Sequence, residues 1–156
     1  MTQRRFSRRG GWSQPYDTTY RSGLEEGIAK QLESAGIPVV FEQATLKYIV
    51  PESEHRYTPD FVLPNGVIVE SKGIFDVADR KKHQLIKAQY PHLTIRFVFS
   101  DPNMQINKNS KTTYAIWCEK HGFLYARKYI PFEWIKEEAK DISGLQFKKT
   151  KKKKGE

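Results

Sequence analysis

The sequence has a single cysteine and no long apolar segment. Because Cys118 is the only cysteine among 156 residues, no intrachain disulfide can form, and a reducing, intracellular setting is favoured. No apolar run approaches the roughly 18 residues that a bilayer-spanning helix needs. The N-terminal arginines are not followed by the apolar region of a secretory signal. We therefore expect a soluble protein of the cytoplasm.

Several common catalytic motifs are also missing. The sequence contains neither a glycine-rich phosphate loop nor a nucleophile elbow, which argues against nucleotide hydrolysis and serine chemistry. Cys118 and His121 have a spacing that could bind zinc, but a structural zinc site has four ligands and no second Cys/His pair lies nearby. His55 is close in sequence to Asp60 and offers only a weak candidate for a role at a phosphate or metal.

Positive charge is concentrated at the two ends of the chain. Residues 1–20 carry four arginines and one aspartate, residues 148–156 carry six lysines and one glutamate, and the total of +9 leaves only +1 for the middle. Two basic tails beside a nearly neutral body suit a flexible clamp around a polyanion such as DNA. A pair of solubilising tails is an equally good interpretation of the charge alone.

Length and composition predict one folded domain. The chain is 38% hydrophobic, which is enough for one core at this length. The first residues have few aliphatic side chains, and the end is almost pure lysine, so we expect both to be disordered. The predicted organisation is a basic arm over 1–19, a domain over 20–141 and a lysine-rich tail over 142–156.

Periodicity and capping residues predict a mixed central β-sheet flanked by helices. The helix over 76–90 is expected to bury Ala78, Leu85, Ile86 and Gln89. It should also join a hairpin strand to the strand over 94–99 as a βαβ unit with parallel pairing. A polar link over 51–57 is extended or looped. The other predicted elements are helices over 22–36, 113–120 and 131–140, and strands over 38–42, 46–50 and 123–126.

A β-hairpin is the centre of the predicted site. Asn65-Gly66 lies between two short apolar runs, which is a strong hairpin signal because both residues tolerate positive φ. The two strands bring Asp60 close to Glu70 and Lys72, which share one face of a strand. Two carboxylates and an amine suit Mg²⁺ and phosphodiester cleavage. An exposed cross-strand ion pair is the alternative.

Glu25 has two possible roles. Ser22 and Glu25 fit a capping box, in which the acid accepts a hydrogen bond from the backbone at the start of the helix. The spacing alone favours that structural role over catalysis. Both interpretations remain open from the residues themselves.

Pro59-Asp60 followed by Glu70-Ser71-Lys72 is the pattern of the PD-(D/E)xK nuclease superfamily. A longer set of segments resembles endonuclease I of T-seven-like bacteriophages, a family that resolves four-way (Holliday) and other branched DNA junctions. That resemblance runs from about residue 20 to residue 137. Its segments are Tyr20-Arg21-Ser22-Gly23-Leu24-Glu25, Lys30-Gln31-Leu32-Glu33-Ser34, Tyr57-Thr58-Pro59-Asp60-Phe61, Leu63-Pro64-Asn65-Gly66, Asp79-Arg80-Lys81-Lys82-His83, Cys118-Glu119-Lys120-His121-Gly122 and Glu133-Trp134-Ile135-Lys136.

The resemblance implies a catalytic set, its metals and a partner subunit. Glu25, Asp60, Glu70 and Lys72 would be catalytic. Glu25, Asp60, Glu70 and the backbone carbonyl of Ser71 would hold two Mg²⁺ ions, for which Mn²⁺ would substitute. The family also implies a PD-(D/E)xK fold in an intertwined, domain-swapped homodimer, with a crossover at about 46–58 and Glu25 supplied by the other subunit.

Branched DNA is the expected substrate, and basic residues are expected to contact its phosphates. A restriction-type duplex endonuclease and a non-catalytic junction-binding protein are the alternatives. For the basic face of the helix over 76–90, ordinary solvation is an equally open interpretation. The predicted DNA contacts are Arg4, Arg5, Arg8, Arg9, Arg21, Arg80, Lys81 and Lys82.

Overall fold

The computed structural model of the protein describes residues 4–5, 19–50 and 52–148. Its helices are α1 (Gly23–Ser34), α2 (Val77–Gln89), α3 (Tyr114–His121) and α4 (Phe132–Lys136). Its strands are β1 (Arg4–Arg5), β2 (Thr19–Tyr20), β3 (Ala44–Val50), β4 (Ser53–Tyr57), β5 (Phe61–Val62), β6 (Ile68–Lys72), β7 (Ile95–Phe99), β8 (Tyr125–Arg127) and β9 (Gln146–Phe147). None of the helices in these ranges is both long enough and apolar enough to span a bilayer.

The strands of the described residues form a four-stranded sheet, a three-stranded sheet and one short ladder. The four-stranded sheet has the order β5-β6-β7-β8, with β5 antiparallel to β6 and the other pairs parallel. The second sheet has the order β4-β3-β9, and the ladder pairs β1 with β2. The predicted mixed α/β class is thereby confirmed.

Local signals mark the starts of α1, α2 and α3 and the end of α3 as predicted. Ser22, Asp76 and Thr113 each occupy an N-cap and accept a hydrogen bond from the backbone N–H three residues later. Gly122 ends α3 in the left-handed conformation, with φ of +76°, which glycine adopts without steric cost. The predicted βαβ unit is also present, because β6 and β7 are parallel and α2 joins them.

One region before the hairpin differs from the prediction. The strand expected over 38–42 is reduced to one bridge between Phe41 and Phe61, because Glu42 takes a positive φ of +49° that ends the extended conformation. The polar link over 51–57, predicted as extended or looped, is extended and contains a regular strand, β4, which pairs antiparallel with β3. Glu52 adopts φ of +71° in the turn between them.

The inward face of α2 was predicted in part, since Ile86 is buried and Leu85 packs against the core. Arg80 and His83 are buried beside Ile86, whereas Ala78 and Gln89 are exposed. Arg80 can be buried because its Nη1 donates to the backbone oxygen of Phe75 at 2.6 Å. Burial lowers the pKa of His83 well below its ordinary value, so the ring is neutral in the core.

The last helix is shorter than predicted and ends at Lys136 rather than Lys140. Glu137 is already extended, and both of its carboxylate oxygens accept from Arg96 at 2.8 Å. This bidentate hydrogen bonding lowers the pKa of Glu137 to about 2. The ion pair therefore fixes the chain after α4 against β7.

Apolar side chains fill both faces of the central sheet. Phe97 and Phe99 on β7 join an aromatic cluster that includes Cys118, whereas Val98 joins a second cluster with α1 and α4. Burial raises the pKa of Cys118 to about 12, which disfavours the thiolate that a zinc site requires. The two clusters hold the sheet and α1 in a fixed relation.

The turn of the hairpin is anchored by the C-terminal segment. The amide Nδ2 of Asn65 donates to backbone oxygens of Trp134, Ile135 and Glu137 at 2.8–3.4 Å. Gly66 adopts φ of +88°, and a Cβ there would lie 2.8 Å from the backbone oxygen of Lys140. The hairpin is therefore fixed at its closed end.

Candidate active site

The hairpin brings Asp60, Glu70 and Ser71 together. Asp60 directly precedes β5, and its Oδ2 accepts from the backbone N–H and the hydroxyl of Ser71 at 2.9 and 2.8 Å. The backbone N–H of Asp60 points at Glu70 Oε2, 3.4 Å away. All three residues are buried. The β5–β6 register thus holds two carboxylates side by side, as the sequence predicts.

Lys72 lies at the end of β6, beside Glu70. Its Nζ is 3.7 Å from Glu70 Oε1 and 3.2 Å from Asp79 Oδ1. Burial disfavours the ammonium, but the two carboxylates outweigh that effect, so the pKa of Lys72 is raised. Lys72 is therefore a fixed positive charge at the edge of the acidic pair.

Glu25 caps α1 and also lies beside Asp60. Its Oε2 accepts from the backbone N–H of Arg21 at 2.8 Å, one residue before the N-cap, while Ser22 Oγ accepts from the Glu25 backbone N–H at 3.2 Å. One oxygen each of Glu25, Glu42 and Asp60 lies within 4.8 Å of the others. A carboxylate has about four acceptor sites, so capping does not preclude binding a cation.

Glu42 is a member of the cluster that sequence reasoning missed. Its carboxylate oxygens lie 3.0 and 3.1 Å from Arg21 Nη2, and its backbone N–H donates to the Asp60 carbonyl at 2.9 Å. No motif or spacing marks Glu42. Only the tertiary pairing of residues 40–42 with 60–62 places it at the site.

Tyr57 and Asp79 were also missed as members of the site. The hydroxyl of Tyr57 donates to Glu70 Oε2 at 2.6 Å, and Asp79 contacts Lys72. Both residues lie in segments that carry the family resemblance. Their places in those segments are the signal that could have identified them.

The site concentrates negative charge in a buried place. Burial, together with the neighbouring Asp60 and against the opposing effect of Lys72, raises the pKa of Glu70 to about 8. Burial is also the largest cause of the raised pKa of Asp60, Glu25 and Glu42. Carboxylate oxygens held together without matching positive charge are the donors that Mg²⁺ prefers, so the residues fit a divalent metal site.

The predicted DNA contacts differ in their surroundings. Arg21 is exposed but paired with Glu42, Lys81 is exposed, and Lys82 Nζ lies 3.6 Å from Asp79. Arg80 is buried with its guanidinium bonded to the backbone, which argues against its contacting DNA. Arg4 and Arg5 form β1, and only their backbone is described. Arg8, Arg9 and residues 149–156 lie outside the described residues.

Glu25 and Asp60 come together within one chain. The predicted crossover at about 46–58 lies in the β3–β4 hairpin, where Leu46 is paired with Tyr57. Subunit exchange stays a prediction.

Comparison with known proteins adds independent information on this chain. The family profile described as phage endonuclease I matches residues 9–154. Endodeoxyribonuclease 1 of Enterobacteria phage T3 is 52% identical over 133 residues, which cover 85% of this chain and 87% of that protein. Endonuclease I of Escherichia phage T7 is 52% identical over 123 residues, which cover 79% of this chain and 83% of that protein.

Proposed function

The chain belongs to the phage endonuclease I family, and we propose that it is a metal-dependent endodeoxyribonuclease that resolves four-way and other branched DNA junctions. The observation that carries the proposal is the convergence of Asp60, Glu70 and Lys72 on one hairpin, with Glu25 beside them. The relatives from phages T3 and T7 are both named as endonucleases. We expect it to act in the cytoplasm of an infected host cell.

The acidic side chains would hold two Mg²⁺ ions, and Mn²⁺ would substitute. Asp60, Glu70 and the Ser71 carbonyl oxygen would bind one ion, and Asp60 with Glu25 the other. When bound, the metal supplies activation of water and neutralisation of phosphate charge. Asp60 is prepared for this role because Ser71 holds its Oδ2 in place.

Lys72 would stabilise the charge that develops on the phosphate. Its raised pKa keeps the ammonium protonated in the metal-free site, so it acts as a cation rather than as a base at neutral pH. The contact with Asp79 fixes its position. Lys72 would also orient the attacking water by a hydrogen bond.

Selectivity for branched DNA would come from the shape of the junction. Contacts to phosphates carry no information about the base sequence. Basic tails and surface residues such as Lys81 would therefore supply affinity, and the geometry of the junction would supply selectivity. A symmetric dimer with two sites could cut two strands of one junction. Exchange of subunits would require the β3–β4 segment, which lies between Glu25 and Asp60 in the chain, to pass from one subunit to the other.

The PD-(D/E)xK architecture is part of the proposal. Its support is the placement of the motif on β5 and β6, followed by α2 and the parallel strand β7.

Mixing a Glu25→Ala chain with a Glu70→Ala chain, under conditions that let dimers exchange subunits, tests whether each active site is shared between two subunits. With sharing, half of the sites in mixed dimers receive both wild-type residues and half receive neither. Without sharing, every site lacks one residue and no activity returns.

The first test compares DNA cleavage by the wild-type protein and two variants. Glu70→Ala and Lys72→Ala should lower cleavage of a four-way junction at least about 100-fold, because the first removes a metal ligand and the second a charge that stabilises the reacting phosphate. Binding of the junction in Ca²⁺ should change little. The exposed residues Glu138 and Lys120, each changed to alanine, provide matched controls. Full cutting by Glu70→Ala would refute the assignment.

Two further outcomes distinguish the alternative functions. Preference for a defined site in linear duplex over a junction of the same sequence would favour a restriction-type enzyme. Tight junction binding without cutting in Mg²⁺ would favour a non-catalytic binding protein. The assay therefore includes linear duplex, a four-way junction, and EDTA in place of Mg²⁺.

A further inference from the structure

Tyr57 makes the shortest described hydrogen bond to the acidic site. It is the last residue of β4, it is buried, and its hydroxyl donates to Glu70 Oε2 at 2.6 Å. The other oxygen, Oε1, is the one that lies 3.7 Å from Lys72. The two oxygens of Glu70 thus have different neighbours.

The ring of Tyr57 is held on two sides. Its backbone pairs with Leu46 in the β3–β4 ladder, and its ring packs edge-to-face against His83, with centroids 5.1 Å apart at 85°. His83 in turn packs against Phe97 of the central sheet at 4.8 Å. The hydroxyl is therefore fixed by the core rather than by Glu70 alone.

Tyr57 is suited to donate rather than accept at this position. Burial raises the pKa of its hydroxyl well above the ordinary value, and the charge of Glu70 adds to the effect. The hydroxyl stays protonated across the working pH range. A hydrogen bond from a neutral hydroxyl to a carboxylate, which is the form of Glu70 that would bind a metal ion, is short and strong, and the 2.6 Å distance suits it.

We propose that Tyr57 is a positioning residue that holds Glu70 by Oε2 and so directs Oε1 toward the metal and Lys72. The inference rests on the proposed function of this site. Without the hydroxyl, the Glu70 carboxylate would be free to rotate, and binding a cation would require it to be ordered again. Partners that orient metal ligands typically contribute 10- to 100-fold to metal affinity or activity.

The test measures metal binding directly on the full chain. Calorimetric titration of Mn²⁺ into the metal-free protein should show affinity about 10- to 100-fold weaker for Tyr57→Phe than for wild type. Phenylalanine keeps the ring that packs against His83, so melting temperature and junction binding in Ca²⁺ should be close to wild type. Tyr114→Phe is the matched control, because that buried tyrosine packs on Phe75 in the same core.

Cleavage kinetics provide a second readout. The Mg²⁺ concentration that gives half-maximal cleavage should rise by the same factor, and high Mg²⁺ should restore most of the maximal rate. Wild-type Mn²⁺ affinity in Tyr57→Phe would overturn the inference. So would weaker affinity in the Tyr114→Phe control by the same factor.

A double-mutant cycle tests whether Tyr57 acts through Glu70. In a Glu70→Gln background, Tyr57→Phe should cause little further loss of Mn²⁺ affinity, because the carboxylate that it orients is already gone. Equal losses in both backgrounds would overturn the inference while leaving the nuclease assignment intact. A wild-type protein that neither binds Mn²⁺ nor cuts DNA would overturn both.

Discussion

Under the proposed function, Glu25 combines a structural and a chemical role in one carboxylate. One oxygen caps the start of α1 through Arg21, and the side chain still lies beside Glu42 and Asp60. The two roles need different properties, since capping needs only an acceptor oxygen whereas a metal ligand also needs negative charge. Substitutions can therefore separate them.

Glu25→Gln should keep the fold and lose the activity. The amide oxygen can still accept from Arg21, so the melting temperature should equal or exceed that of wild type, while junction cleavage falls at least about 100-fold. Glu25→Ala should lose the activity and also about 1 kcal/mol of stability, because the helix cap is missing. Thermal melting and a cleavage assay measure the two effects, and Glu26→Gln on the same turn is the control. Equal melting temperatures for the Gln and Ala variants would contradict the capping role.

The raised pKa of Glu70 predicts how the metal-free protein responds to pH. Between the ordinary value of 4.5 and about 8, the native state binds a proton that the unfolded chain has released. The contribution of Glu70 to stability is therefore fully present below this window and falls as pH rises through it, by about 1.4 kcal/mol for each pH unit. Glu70→Gln has no such proton, so its free energy of unfolding should depend less on pH. Chemical denaturation of both proteins at pH 6.5 and 8 gives the comparison, and parallel changes would refute the shift.

Metal binding should follow the opposite trend. Mg²⁺ must displace the proton of Glu70, so its affinity should increase with pH up to about 8 and then level off. Calorimetry in buffers of different ionisation enthalpy would count the protons released. No release at pH 7 would contradict the buried, protonated Glu70.

At the scale of elements, the Asn65–Gly66 turn is a point where one substitution should matter. Gly66→Ala should lower the free energy of unfolding by about 1–3 kcal/mol, because φ of +88° strains a residue with a Cβ and the added atom meets the Lys140 oxygen. Gly27→Ala is the control, since nothing lies within 4 Å of a Cβ there and α1 should gain stability. Urea unfolding measures both. An unchanged Gly66→Ala protein would contradict the close packing of the turn.

Elements with local signals could be predicted from the sequence. Ser22, Asp76 and Gly122 mark helix ends through hydrogen bonds and backbone geometry that depend on neighbours in the chain. The strand β4 could not be recognised, because its residues are mostly polar and exposed and it is stabilised by pairing with β3. The burial of His83 was equally unpredictable, since it depends on the aromatic residues around it.

The residues of the candidate site also divide into those that the sequence could locate and those that it could not. Asp60, Glu70 and Lys72 could be located because a single hairpin connects them. Glu25 could be included only through the family resemblance, since a helix cap explains its position equally well. Glu42 joins them through contacts between segments that are about 20 residues apart, and no local pattern records those contacts.

At the scale of the whole molecule, the basic tail should govern affinity rather than chemistry. Removal of residues 149–156 takes away five lysines but leaves the described fold intact. Junction binding should weaken, and its dependence on salt should become shallower by about 0.9 in log–log slope for each lysine that neutralises a phosphate. Binding titrations between 50 and 200 mM salt would measure this change. Two full-length variants are the controls: one with all five lysines changed to arginine, which keeps the charge, and one with all five changed to glutamine, which removes it. An unchanged slope would show that the tail serves solubility instead.

The anchored hairpin has a consequence for insertions and deletions in this chain. Each residue of a strand spans about 3.3 Å, and a shift of one residue moves every side chain to the opposite face. Adding one residue to the loop that closes at Asn65 and Gly66 would displace Asp60 from Ser71 by that distance and break the contacts at 2.8 and 2.9 Å. The length of this loop is therefore tied to the spacing of the reacting groups.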